Sequence, residues 1–462
     1  MTAPRAAFGG NQSFRLWYLR YAYVGPQTSY NWTKPSIYIP LNMEYFSFIM
    51  AVDYFQHHYP NTTIMFDMST VYIAAACVAV VMVKQALRII LIFPGILLSL
   101  ATMLFVAVCN IGWDGFSTNV SYTINLVAIG VVAFGCTIQQ ASYYGFTGCL
   151  PPRYTQAVMA GESAAGFWVS LDRIVTKYWF KQPKRSTFMF FIFSILILLG
   201  HSMLHHVMMK HPLVQHYLRL TNESRHRRRI QLHLNPTEDA TLVRMCAVIK
   251  HRFIFVSRWA VARAIYPYMV SIGLVYFTTL SLYPGIASEV PSCRLGSWMP
   301  IILMSSFNFF DFIGKIAAAW PYEWSRSQLL MASGCRLLLV PLLLLCAAPR
   351  YSPHIVGDMY PIMFSVVLGF SNGLFGSVPM ILAPSRVGRE HREIAGNMMT
   401  LSYNGGLLSG SLVSYLLLSM LGPPAEAPCR VYPTPVCWLI STITEIVRTL
   451  ITNAAAAYAI VS

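Results

Sequence analysis

The chain has 462 residues, 56% of them hydrophobic and only 11% charged, with a mean hydropathy of +0.52. Soluble domains carry about 25% charged residues, so a water-soluble globular class is excluded and an integral membrane protein is indicated. The net charge of +16 does not argue for a nucleic acid polymer as partner, because the basic residues concentrate in one loop between apolar segments, where membrane proteins carry them.

Residues 1–35 hold Arg5, Arg15 and Arg20 among aromatics, without a compact apolar region and cleavage site, and read as a cytoplasmic N-terminal segment. Apolar windows long enough to cross a bilayer follow at 36–52, 68–83, 89–112, 122–150, 156–176 and 187–208. Pro40 and Glu44 make the first the weakest of them. The segment 209–258, with "NESRHRRRIQLH" and ten Lys or Arg, then interrupts the series as a basic cytoplasmic loop. Further windows stand at 259–284, 298–320, 328–348, 360–383 and 395–421, and 422–462 forms an atypical tail whose Glu445 and Arg448 weigh against another span.

The windows do not alternate with period two, and hydrocarbon leaves the backbone no partner but its own helix. The predicted fold is therefore all-α: a polytopic membrane helical bundle of about 11 transmembrane helices in a 6+5 arrangement, with bundles at 36–208 and 259–421. Threading it with the N-terminus inside gives 17 Lys or Arg in inner loops against 6 in outer ones. That topology puts the sequons at Asn61 and Asn119 outside, where they are accessible to glycosylation.

Ionisable groups within the spans are costly, about 2.5–3.5 kcal/mol each on insertion scales, and usually face a cavity or a partner. Glu162 lies about six residues into "YTQAVMAGESAAGFWVSLDRIVTK", among the small residues Gly161, Ala164, Ala165, Gly166 and Ser170. Small residues allow close helix contact, which serves either static packing or sliding in a moving carrier. Arg173 follows eleven residues later, on the same face but three turns away, so it is not a direct partner of Glu162. Asp172 points to another face, toward an interface or a neighbouring helix. In "SWMPIILMSSFNFFDFIGKIAAAW", Asn308, Asp311 and Lys315 share one stripe, and Asp311 and Lys315 have the spacing of a helical ion pair. That pair either ties two helices together or lines a substrate path.

Other patterns carry less. His201 and His205 are four apart but have no acidic or Cys neighbour in sequence, so no metal site is expected. His57 and His58 fall in the first outer loop. The ten Cys lack metal spacing, although pairing among Cys293, Cys335 and Cys346 is open. No GxSxG and no ordered Ser, His and Asp set is present, which leaves an enzyme reading without support and calls for no cofactor.

Blocks in a fixed order over roughly residues 45–421 resemble the equilibrative nucleoside transporter family, solute carrier family 29: "LPPRYTQAVMAGESAAG" with "SLDRIVTK", then "FNFFDFIGK", then "GFSNGLFGSVPMILAP" leading to "AGNMMTLSYNGGLLSG". The resemblance implies eleven helices with a large cytoplasmic loop after the sixth, and two bundles, major-facilitator-like, working by alternating access. "VDYFQHHYP", "FDMS" and "FGCTIQQASYYGFTG" are similar to the monoamine-transporting branch of that family. In that branch the Glu of the GES motif, here Glu162, goes with preference for organic cations over nucleosides. The family's DxxGR motif stands here as Asp311 to Lys315, with Lys in place of Arg, and an ammonium cannot bind bidentately as a guanidinium does.

The expected function is facilitative, sodium-independent transport of organic cations such as serotonin and dopamine, extending to adenosine, across the plasma membrane. Glu162 would attract the ammonium, with Tyr143, Tyr144 and Phe167 as cation-π candidates, and Asn308, Asp311 and Lys315 along the path. Arg173, Gly161 and Gly166 would act in structure or gating. The partners are then the lipid bilayer and a small-molecule substrate. A nucleoside or nucleobase carrier is the alternative. A multi-span receptor or channel-like signalling protein is the reading from another class, disfavoured by the number of spans and the lack of a repeated pore-loop signature.

Overall fold

The computed structural model describes residues 43–422 except 61, 83–91, 114–115, 148–151, 211–214, 216–239, 321, 351–352 and 389–391. The segment 1–35, nearly all of the tail 422–462, most of the basic loop, and Asn61 thus lie outside the described residues.

The described residues form an all-α bundle. The chain runs through α1 (Met43–Met50), α2 (Val52–His58), α3 (Ile64–Met82), α4 (Ile92–Phe105, continued by a π-helical turn over Val106–Gly112), α5 (Thr118–Thr147), α6 (Pro152–Trp179) and α7 (Pro183–Lys210). After the basic segment come α8 (Ala240–Leu282), α9 (Gly285–Ser288), α10 (Trp298–Ala317), α11 (Arg326–Cys335), α12 (Leu339–Ala347), α13 (Met359–Leu382) and α14 (Arg392–Ser419). Among the described residues, seven helical segments are long and apolar enough to cross a membrane. The helix α6 is outside that set because Glu162, Asp172, Arg173 and Lys177 interrupt it. Large apolar side chains such as Val127, Leu196, Leu338, Met363 and Leu412 face outward, as expected where the surroundings are hydrocarbon rather than water.

Two differences from the sequence expectation have plain causes. The basic segment was expected to run as a loop to residue 258, but α8 begins at Ala240; at about 1.5 Å per residue this 43-residue helix is longer than a bilayer, so its basic N-terminal part extends beyond the apolar span Trp259–Ser288. His57 and His58, expected in an outer loop, instead close α2, because the aromatic residues before them continue the buried face of α1.

Packing pairs α3 and α4 with α5, and α8 with α14 and α10 with α13 in the second half of the chain. The two halves meet along two main seams, α6 against α10 and α3 against α14. At α10 and α13 the backbones approach so closely that a Cβ on Gly373 would stand 2.1 Å from the Asp311 carbonyl oxygen. Only glycine fits there.

Candidate functional site

The helix α6 is pressed between its neighbours by its small residues. A Cβ on Gly166 would lie 3.3 Å from Asn308 of α10 and from the Phe46 ring of α1, and Gly161 one and a half turns earlier is likewise buried. This close seat orients the Glu162 face of α6 toward a cavity between the two halves. Thr137, Gln140, Met159 and Glu162 line it from the first half, and Ile272, Tyr276, Gly376, Met380, Thr400, Tyr403 and Asn404 from the second. The cavity is narrow, with a volume of only about 30 Å³. Any larger solute therefore requires the halves to move.

Within the cavity the Gln140 Nε2 donates to the Glu162 Oε1 at 2.8 Å. This hydrogen bond holds the carboxylate without cancelling its charge. Tyr276 and Tyr403 form an edge-to-face pair, centroids 4.3 Å apart, on the second-half wall. Both tyrosines and Lys315 lie within electrostatic reach of Glu162.

Beside the cavity a polar chain crosses the seam. The Ser163 hydroxyl donates to the Asp311 Oδ2, while Lys315 Nζ sits 3.6 Å from the same oxygen. Asn372 Nδ2 donates to Asp311 Oδ1 at 2.7 Å, Thr279 Oγ1 donates to Asn372 Oδ1 at 2.8 Å, and Arg336 Nη2 donates to Thr279 Oγ1 at 2.8 Å. Asn308, one turn earlier on α10, donates to Ser170 of α6 at 2.9 Å. Because Ser163 is next to Glu162 in the chain, displacement of α6 moves a partner of Asp311 together with the cavity carboxylate.

Away from the cavity, Arg173 is fully buried and binds Asp53 of α2, with Nη2 2.5 Å and Nε 3.1 Å from Oδ1. Lys177 Nζ reaches the other oxygen at 2.8 Å and donates to the Ser297 carbonyl, also at 2.8 Å. Gln56 Nε2 donates to the Ser288 carbonyl at 3.0 Å. These contacts close the seam at one end. Asp67 of α3 does so again, accepting from Tyr122 of the first half and, at 2.5 Å, from Tyr415 of the second.

The structure thus brings Glu162 to the cavity and Asn308, Asp311 and Lys315 to the adjoining seam. Tyr143 is buried but does not line the cavity, and Phe167 stacks on Phe312 of α10 with centroids 6.1 Å apart. The Tyr144 side chain is outside the described part. Asp172 accepts from Ser194 of α7 at 3.3 Å, and Asn119 is exposed in the first turn of α5. Among the described residues no group of three His, Cys, Asp or Glu could hold a metal. Cys293 is disulfide-bonded, whereas Cys335 and Cys346 are free thiols, so the open pairing among these three is not formed. Sequence reasoning missed Tyr276, Tyr403 and Gln140 as cavity residues and Asp53 as the partner of Arg173. Each meets its counterpart only through tertiary packing.

The family described as nucleoside transporter matches residues 126–419. The equilibrative nucleoside transporter 4 of Homo sapiens is 40% identical over 427 residues, which covers 82% of this chain and 80% of that protein. The protein of the same description from Danio rerio is 39% identical, covering 82% of this chain and 81% of its own length. The equilibrative nucleotide transporter 1 of Arabidopsis thaliana is 28% identical, with 80% and 81% covered.

Proposed function

Because the chain belongs to the nucleoside transporter family, we propose that it is a facilitative, sodium-independent carrier of organic cations of the biogenic monoamine type, serotonin and dopamine among them, working by alternating access. The observation that carries the reading is Glu162, a carboxylate on the wall of a cavity shared by both halves. A protonated amine there would meet the carboxylate on one side and the faces of Tyr276 or Tyr403 on the other, an arrangement suited to cation-π attraction. Asn308, Asp311 and Lys315 would transmit occupancy across the seam, and Asp53, Arg173 and Lys177 would act at one of its ends. An inside-negative potential favours cation influx by about 2.3 kcal/mol per charge per 100 mV, so no sodium gradient is needed.

The reading includes eleven spans in a 6+5 arrangement, a cytoplasmic N-terminus, the plasma membrane as location, and glycosylation at Asn61 and Asn119. The two seams, α6 with α10 and α3 with α14, support a two-bundle transporter. The alternative substrate class, a nucleoside, is favoured by the amides of Gln140 and Asn404 in the cavity and by the names of the relatives.

The test is the ratio of serotonin to uridine uptake in cells with equal surface protein. Glu162→Gln is expected to lower that ratio about tenfold, as loss of one charge-assisted contact implies. An unchanged ratio would remove the carboxylate from substrate selection, and a wild type that takes up uridine but no amine would establish the alternative.

A further inference from the structure

We propose that a groove on the outer side of α8 and α14 is a binding site for one anionic phospholipid, its acyl chain lying on the glycine floor and its phosphate against Arg263. The groove, of about 690 Å³, lies on the back of the same two helices whose other faces present Tyr276 and Tyr403 to the central cavity. Its floor exists because the two helices touch there. A Cβ on Gly406 would stand 2.4 Å from the Gly273 carbonyl oxygen, while a Cβ on the adjacent Gly405 would meet nothing within 4 Å. One glycine makes the contact and the next leaves the trough open.

The occupant is indicated by the change of chemistry along the groove. Around Gly273 and Gly405 the lining is mostly apolar, and the hydroxyls of Ser402 and Ser409 donate to helix carbonyls, which suits an acyl chain. Seven to fourteen residues before Gly273 on α8, about 10–21 Å along the axis, stand Trp259, Arg263 and Tyr266, all exposed. Aromatic rings beside a basic side chain are what the headgroup level of a bilayer selects. This end of α8 also follows directly on the segment 209–258 with its ten Lys or Arg, so the positive mouth faces the leaflet richer in anionic lipid. A zwitterionic headgroup has no net charge to attract Arg263, whereas a net anionic one is drawn to it.

The experiment is native mass spectrometry of the full chain purified in detergent and titrated with phosphatidylserine or phosphatidylcholine of identical acyl chains. The wild type is expected to retain one phosphatidylserine about fivefold more tightly than phosphatidylcholine, the preference that one arginine near a membrane surface supplies. Arg263→Gln should abolish the preference, and Gly405→Leu, whose Cβ starts in open space and whose bulk fills the trough, should weaken retention of both lipids. Equal binding of the two lipids by the wild type, or wild-type retention by Gly405→Leu, overturns the proposal. Should Gly405→Leu not fold, quenching by phosphatidylserine with a nitroxide at the glycerol end of its acyl chain, next to the headgroup, carries the decision, read as the difference between the wild type and Trp259→Phe. A quenched Trp259 supports the site, and an unquenched one overturns it.

Discussion

Asp53 compensates two cations at once, the fully buried Arg173 and the partly buried Lys177. Removing one member of a buried ion cluster strands the others, a loss of about 3–5 kcal/mol. Asp53→Asn should accordingly lower the thermal unfolding temperature of the purified protein far more than a surface change does. Replacing all three residues together by Leu or Met should recover most of the loss, because the penalty arises from uncompensated charge rather than from missing bulk. At this scale the sequence was informative where partners are close in the chain. Asp311 and Lys315, four apart, read as a pair, and Lys315 Nζ lies 3.6 Å from Asp311 Oδ2. Arg173 was separated from Glu162 by helical geometry alone, yet its partner stands 120 residues away, beyond any local pattern. The face presented by Glu162 was illegible for a related reason: small residues from Ala160 to Gly166 adjoin it and leave little periodic contrast to read.

Individual helices were more legible than their contacts. Apolar windows located α10, α13 and α14 to within a few residues, because hydrophobic length is a local property. The early start of α8 escaped, since its basic N-terminal part lies beyond the apolar window by which spans are recognised. The interruption between α11 and α12 at the 3-10 turn Arg336–Leu338 also escaped, as it depends on where Arg336 finds Thr279. Helix contacts set the tolerance for substitution. Gly373→Ala would force a methyl onto the Asp311 carbonyl, part α10 from α13 and break the Asn372–Asp311 hydrogen bond. We expect it to abolish uptake with reduced surface protein. Gly405→Ala, whose methyl meets open space, should leave both near wild type, and surface biotinylation alongside uptake distinguishes the two results.

The molecule as a whole is divided by the cavity and closed at one end of its seam. If alternating access requires this end to part, holding it shut must stop the cycle. Gln56 and Ser288, from opposite halves and joined at 3.0 Å, supply the place to do so. A short bis-methanethiosulfonate applied to the double substitution Gln56→Cys with Ser288→Cys should eliminate uptake, whereas each single substitution should be spared and a reducing agent should restore transport. Persistent uptake after verified cross-linking would mean that the halves do not separate there.

The narrowness of the cavity has a consequence for work against the solvent. A cavity of about 30 Å³ has room for no more than a molecule or two of water, whereas a compartment able to admit a solute must first fill with many. If the carrier works by alternating access, each opening draws in solvent at roughly 30 Å³ per molecule, and the balance between closed and open forms then depends on water activity. A high concentration of an impermeant polymer too large to follow the water inside would favour the closed form, turning osmotic pressure into a brake on the cycle that acts without touching any residue of the binding site.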